Sequence, residues 1–210
     1  MRSIARSFCL VVSVIFLSSV AGAACERTLI AGSNKAIPAT GKINESLLNN
    51  AVLIEVNYAR CRSGLPALSS DSKLTKPATK HSKWMAKNST LSHKSNVRGQ
   101  NSTQNRIMNS GIKVKTGAEN IIRMYRYQLT GGPFFVKNMA TCDFADGKGN
   151  TLPPHSYASL AREASRQWIE SPKHRENFMS NRMRMTATGA AVDPKGSHCG
   201  SIYLTQLFIG

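Results

Sequence analysis

The segment from 201 to 209 constrains the fold most, because apolar side chains would lie on both of its faces. Between positions 201 and 209, Ile202, Leu204 and Phe208 alternate with Tyr203 and Leu207. This pattern predicts a strand that is covered on both of its faces. A second strand is predicted just before it, at about 184–193, and together they would form an antiparallel hairpin. Because most of the remaining chain has helical periodicity, we expect an α+β fold.

Helical periodicity is clearest from Glu45 to Arg62, where apolar residues recur at three- and four-residue steps and Gly64 follows as a cap. A second helix, which Ser70 or Asp71 could cap, is predicted to end near Met85. It contains Pro77, so it either begins near Thr75 or is kinked. Three further segments are predicted: a short helix over 102–110, a strand or helix-to-strand transition over 119–127, and a helix over 157–169.

The first 24 residues have the features of a secretory signal peptide. Two arginines precede an apolar run from Phe8 to Val20, and cleavage is expected after Ala23 or Ala24. The run has about a dozen residues, fewer than the ~20 that span a bilayer. Two alternatives stay open, a retained membrane anchor and a lipoprotein modified at Cys25, although the usual leucine of a lipobox is absent. We expect a secreted or periplasmic protein.

Cleavage would leave four cysteines, Cys25, Cys61, Cys142 and Cys199. An even number in an exported chain indicates two disulfide bonds, for which three pairings are possible. We predict that Cys25 pairs with Cys61 and that Cys142 pairs with Cys199.

About 186 residues remain after cleavage, which is enough for one domain with a proper core. Residues 25–44 are rich in Ala, Gly, Ser and Pro and are predicted to form an N-terminal arm. The domain itself is predicted over 45–210. Glycines and prolines concentrate between 128 and 155, which predicts a loop-rich insertion.

The chain carries a formal net charge of +17, and removal of Arg2 and Arg6 leaves +15. This excess is expected to attract anionic envelope surfaces such as phospholipid headgroups. The basic residues are scattered along the chain, aromatic residues are few, and no nucleic-acid-binding motif is found, so nucleic acid is not an expected partner. We expect a monomer without a transmembrane segment in the mature chain.

Several short motifs occur in a fixed order along residues 46–209. They are Gly64–Leu68 after the first helix, Leu91-Ser92-His93, Ala118–Ile121, Trp168–Arg175, Thr188-Gly189-Ala190 and Tyr203–Phe208. In this order the chain resembles the CAP superfamily, which contains cysteine-rich secretory proteins, antigen 5 and pathogenesis-related proteins. The resemblance is greatest to its bacterial SCP-domain branch. It implies a three-layer α-β-α sandwich with a central antiparallel sheet.

The resemblance also implies a cleft with two histidines and two glutamates, which in some members binds zinc or another divalent ion. The first histidine corresponds to His93, the first glutamate to Glu119 and the second histidine to His174. Ser171 occupies the place of the second glutamate. Two nearby acidic residues, Glu163 and Glu170, are out of register and are weaker candidates.

Two neutral imidazoles and a carboxylate can hold zinc at ~2.0–2.2 Å and leave a fourth position for water. Water held in this way can attack a carbonyl or phosphoryl centre. In such a hydrolase, Glu119 would be a ligand or the general base. The alternative is a hydrogen-bonded His–Glu network that supports the cleft without metal.

The leading hypothesis is a non-enzymatic ligand-binding or interaction module at the cell envelope or host interface. The resemblance implies lipid or sterol as the ligand, as in some members of the superfamily. The alternative is a metal-dependent hydrolase that uses the same cleft. Among the other histidines, His81 is predicted to be packed in the core, and His155 and His198 are predicted to be exposed. Trp168 is predicted to lie in the core.

Overall fold

The computed structural model describes residues 25–210, and in them a four-stranded sheet lies between two layers of helices. The predicted signal peptide and Cys9 lie outside these residues. The helices are α1 (Glu45–Arg62), α2 (Ser72–Lys87), α3 (Thr103–Met108), α4 (Tyr157–Glu170) and α5 (Pro172–Met179). The strands are β1 (Ser69–Ser70), β2 (Gly117–Tyr125), β3 (Phe134–Asn138), β4 (Asp143–Asp146), β5 (Met185–Asp193) and β6 (Ser201–Ile209). The predicted three-layer α-β-α fold is confirmed.

The sheet has the strand order β1-β5-β6-β2. Strand β6 pairs antiparallel with both β5 and β2, whereas the two-residue β1 pairs parallel with β5. The sheet is therefore antiparallel except at β1. Every residue of β6 is buried, as expected from its two apolar faces, because helices cover both sides.

Each face of the sheet has its own apolar core. On one face, Trp168 of α4 and Phe178 of α5 are fully buried against β6 residues such as Phe208. On the other face, α2 packs against β5 and β6, and Leu74 lies beside Leu207. The prediction that Trp168 belongs to the core is confirmed. These two layers fix the positions of the loops at the edge strand β2.

The helix ends follow capping rules, with one difference from the expectation. Asp71, one of the two predicted caps, accepts a hydrogen bond from Lys73 N at 2.8 Å, so α2 begins at Ser72 and contains Pro77 in its interior. The difference is α5, which the sequence did not predict as a helix. It begins at Pro172 directly after the Ser171 cap, since proline is well tolerated in a first turn.

Both predicted disulfides are confirmed. Cys25–Cys61 joins the N-terminal arm to the last turn of α1, and Cys142–Cys199 joins the insertion to the turn between β5 and β6. The insertion is less irregular than predicted, because it contains the β3–β4 hairpin. Among residues 25–210, no helix has the length and apolar character needed to cross a bilayer.

The prediction that His155 and His198 are exposed is wrong. His155 is 2% exposed, because its backbone bonds to both Ile37 and Arg126 at 2.7 Å. The N-terminal arm thereby packs onto the domain. His198 is half-buried, with its ring edge-on to Tyr125. Both environments are formed by segments distant in the chain, which local polarity does not reveal.

Candidate functional site

The carboxylate of Glu119, near the start of β2, is the centre of the cleft predicted from the motifs. Glu119 is 5% exposed, and each of its oxygens accepts hydrogen bonds. Oε1 accepts from His93 Nδ1 at 2.7 Å and from Thr103 Oγ1 at 3.1 Å. Arg106 donates to Oε2 from Nε at 2.5 Å and to Oε1 from Nη2 at 2.6 Å. This two-bonded geometry is the strong form of an arginine–carboxylate pair.

Arg106 projects from α3 and is fully buried. Besides Glu119, its guanidinium donates to Gln100 O at 2.7 Å and to His93 O at 2.6 Å. It therefore holds both the backbone of His93 and the carboxylate that contacts the His93 ring. No motif in the sequence pointed to Arg106. The only local indication of its role is that Arg106 follows Thr103 by three residues, which places both side chains on one face of α3.

His174 lies in α5 and borders the same cleft. Its carbonyl oxygen accepts from Asn120 Nδ2 at 3.1 Å, and Asn177 donates to Asn120 Oδ1 at 2.8 Å. These amide bonds fix α5 to the edge strand beside Glu119. Burial lowers the pKa of His174, and the nearby His93 lowers it further. The structure thus places His93 in contact with Glu119, and His174 close enough to His93 to be affected by its charge. The family resemblance implied that these three residues converge.

The hydrogen bond to Glu119 sets the tautomer of His93. Burial alone would raise the pKa of Glu119, but the bonds from His93 and Arg106 outweigh it and hold that pKa below its ordinary value. An ionised carboxylate only accepts hydrogen bonds, so His93 donates from Nδ1. In the neutral ring, Nε2 then carries the free lone pair. His93 is half-exposed, with 51% of its side chain accessible.

This donor set does not fit the predicted three-ligand zinc site. Both oxygens of Glu119 are bonded to Arg106, whose positive charge already compensates the carboxylate. His93 and His174 would remain as the ligands, fewer than the three protein ligands of a catalytic zinc site. Across residues 25–210, no group of three or more His, Cys, Asp or Glu side chains is placed to hold a metal ion.

The weaker candidates Glu163 and Glu170 make their contacts elsewhere. Both lie on α4 and bond to Arg166, at 2.5 Å for Glu163 and 2.7 Å for Glu170. Ser171, which occupies the place of the second glutamate, is the residue that caps α5. Of the three predicted glutamates, only Glu119 therefore lies in the cleft.

A further histidine supports the cleft from behind. His81 of α2 is 1% exposed and stacks on Trp84, as predicted for a core residue. Its Nε2 donates to Ser92 O at 2.9 Å, next to His93. Burial lowers the pKa of His81 to about 4, and Arg106 adds to this effect. His81 is therefore neutral at pH 7 and helps to position the loop that carries His93.

A second cavity, which the sequence did not predict, lies between α1 and α4 and is called here the α1/α4 groove. Its volume is about 520 Å³. Its lining is part apolar and part charged. The apolar part includes Tyr58, Ile169 and Met179. The charged part consists of four arginines and two glutamates, namely Arg27, Arg62, Arg162, Arg166, Glu55 and Glu170.

The charges of the groove are partly compensated. Glu55 is paired with Arg27 at 3.0 Å and more weakly with Arg162 at 3.6 Å. Arg62 contacts Tyr58, and its Nη1 donates to the phenol oxygen at 3.2 Å. The hydroxyl of Ser165 lines the groove, is buried and has no hydrogen-bond partner among the described residues. The groove thus offers apolar surface, cations and an unused hydroxyl.

Comparisons with known proteins agree with this architecture. The family model described as the cysteine-rich secretory protein family matches residues 53–208. An extracellular protein with an SCP domain from Bacillus anthracis is structurally similar, with a TM-score of 0.51 and 18% identity. The match covers 81% of this chain and 45% of the Bacillus protein, so this chain spans less than half of that protein's length.

An outer surface protein of Borrelia burgdorferi is also similar, with a TM-score of 0.52 and 15% identity over 80% of this chain and 97% of that one. At these identities the two structures support the fold alone. A search of curated proteins found no significant match. The family model covers most of the chain, and the chain therefore belongs to the cysteine-rich secretory protein (CAP) family.

Proposed function

We propose that the protein is an exported, non-enzymatic binding module that takes up an amphipathic lipid anion in the α1/α4 groove. The observation that carries this proposal is one cavity that combines an apolar lining with four arginines against two glutamates, and with a Ser165 hydroxyl that has no hydrogen-bond partner among the described residues. A volume of about 520 Å³ lies within the usual range for small-molecule sites. A carboxylate or phosphate headgroup would lie against Arg62 or Arg162, and the hydrocarbon would cover Ile169 and Met179.

Export is supported by the two disulfides, which form in oxidising compartments. Export is also in keeping with the Bacillus protein of similar fold, which is extracellular, and with the Borrelia one, which is an outer surface protein. The predicted signal peptide would provide the route.

The proposal is tested by titrating the protein with palmitate and with hexadecanol, which has the same chain length but no charge. We expect saturable 1:1 binding of palmitate and weaker binding of hexadecanol, because the arginines recognise the charged headgroup. Equal binding of the two compounds would contradict the ionic part of the proposal. If neither compound bound saturably, the proposal of a lipid-binding groove would be contradicted.

The metal-dependent hydrolase is the competing hypothesis, and the geometry of Glu119 counts against it. The carboxylate is buried, and its charge is already compensated by the guanidinium of Arg106, which donates to both of its oxygens. It is therefore a weak ligand for a cation and a weak general base. The test is thermal unfolding with and without excess zinc, since a ligand that binds the native state raises its stability. We expect no stoichiometric stabilisation. A clear rise in Tm at one equivalent of zinc would restore the metal hypothesis.

A further inference from the structure

The layer formed by α2, α3 and their loops has an uncompensated positive charge. No acidic residue occurs between Ser72 and Ala118, whereas ten lysines and arginines do. The basic residues are therefore not evenly scattered, in contrast to the expectation from the whole chain. In three dimensions half of these ten lie on one helix.

Five lysines form a single stripe along α2, called here the lysine stripe. They are spaced alternately three and four residues apart, at Lys73, Lys76, Lys80, Lys83 and Lys87. This spacing brings side chains to one face of an α-helix. At 1.5 Å per residue the stripe is about 21 Å long. All five lysines are exposed, and the opposite face of the helix is buried in the core.

No carboxylate lies within 4.0 Å of any of these lysine nitrogens among the described residues. Arg166 of α4 shows the contrast, because it is paired with both Glu163 and Glu170. Like charges at these spacings destabilise a helix. Repulsion between the lysines of the stripe therefore destabilises α2, and a bound polyanion would reduce this repulsion.

A pocket of about 390 Å³ lies at the beginning of the stripe, between α2 and the segment around α3. Three of the five lysines line it, together with Gln100, Asn109 and Ser110. Gln100 is 6% exposed, and its Oε1 has no hydrogen-bond partner among the described residues. An amide oxygen can only accept. The pocket thus combines cations with a buried acceptor that has no donor among the described residues.

This combination indicates the chemistry of the ligand. Sulfate, phosphate and carboxylate groups satisfy lysines, but when ionised they offer no hydrogen to Gln100 Oε1. A sugar hydroxyl does, so a polymer that alternates anionic groups with hydroxyls satisfies both. A bilayer fits less well, because none of the large apolar side chains exposed in residues 25–210 lies on α2. A single-stranded nucleic acid also fits less well, because its bases stack on free aromatic side chains and Trp84 of α2 is packed against His81.

We propose that the lysine stripe and the Gln100 pocket bind an acidic polysaccharide, which lies along α2. The site is on the opposite side of the sheet from the α1/α4 groove, and it does not depend on lipid binding. Binding would hold the protein at a polysaccharide-coated surface while the groove remains open.

The probe is a heparin fragment of defined length, titrated at several salt concentrations. The test variant carries K73Q, K76Q, K80Q and K83Q, and glutamine keeps a helix propensity close to that of lysine. The matched control carries K35Q, K137Q, K148Q and K195Q, which remove the same charge from exposed positions outside α2. We expect the test variant to lose at least about tenfold in affinity with a shallower salt dependence, and the control to stay within about twofold.

A third variant, Gln100→Met, removes the buried acceptor while keeping side-chain length. We expect it to weaken heparin binding by a few-fold and to leave binding of inorganic polyphosphate, which lacks hydroxyls, unchanged. Equal losses in the test and control variants would overturn the proposal. So would tighter binding of a DNA duplex or of anionic vesicles than of heparin at the same salt, or the lack of any heparin binding by the unchanged protein.

Discussion

Arg106 and Glu119 form a buried pair with two hydrogen bonds, at 2.5 and 2.6 Å, in which neither side chain is more than 1% exposed. The carboxylate of the cleft is therefore compensated from within the protein. His93 bonds to the same carboxylate through Nδ1, so its ring orientation depends on this pair. We interpret the cleft as a hydrogen-bonded network that fixes α3, β2 and the His93 loop together.

Removal of the guanidinium should strongly destabilise the fold. In Arg106→Gln, Glu119 would remain buried without its counter-charge, and breaking one partner of a buried pair costs about 3–5 kcal/mol. Urea unfolding monitored by tryptophan fluorescence measures this loss. As the control, the double variant Arg106→Gln with Glu119→Gln should recover much of the stability, because no unpaired charge remains. A single variant as stable as the unchanged protein would show that the pair is not needed.

Two buried histidines should make stability depend on pH. Burial lowers the pKa of both His81 and His155 to about 4, compared with 6.5 in the unfolded chain. The folded state thus binds fewer protons, and its stability is fully present above pH 6.5 and falls between pH 6.5 and 4. Each histidine accounts for roughly 3 kcal/mol over this window.

Urea midpoints at pH 7.0, 5.5 and 4.5 measure this dependence. A His155→Gln variant loses one of the two titrating groups, so its stability should fall less steeply with acid than that of the unchanged protein. Parallel curves for the two proteins would contradict the assignment of His155.

Gly189 of β5 should not tolerate a side chain, because α2 approaches it directly. A Cβ atom at this position would lie 2.2 Å from Thr79 N. Gly189→Ala should therefore destabilise the protein by about 1–3 kcal/mol through overpacking. Gly131→Ala is the matched control, since a Cβ there would have no atom within 4 Å. Thermal unfolding compares the two, and equal Tm values would show that α2 moves away at little cost.

The sequence predicted those features that depend on local periodicity or on ordered motifs. The buried strand β6 followed from its two apolar faces, and the convergence of His93 and His174 followed from the family resemblance. The pairing of Cys142 with Cys199 was chosen from three possibilities and is confirmed.

The features that were missed depend on contacts between distant segments. The burial of His155 depends on the N-terminal arm, and the role of Arg106 depends on how α3 lies against β2. The α1/α4 groove is formed by helices about a hundred residues apart, so no window of sequence contains it. The lysine stripe is different, because its spacing can be read from the sequence once α2 is known.

The central claim is that the α1/α4 groove, and not the His93 cleft, takes up the ligand. Titration calorimetry with palmitate tests it on two charge-matched variants, R62Q with R162Q in the groove and K173Q with R175Q beside His174. We predict that the groove variant loses at least about tenfold in affinity, because two cations that recognise the headgroup are gone, and that the cleft variant binds like the unchanged protein. Unchanged binding by the groove variant together with a loss in the cleft variant would contradict the claim.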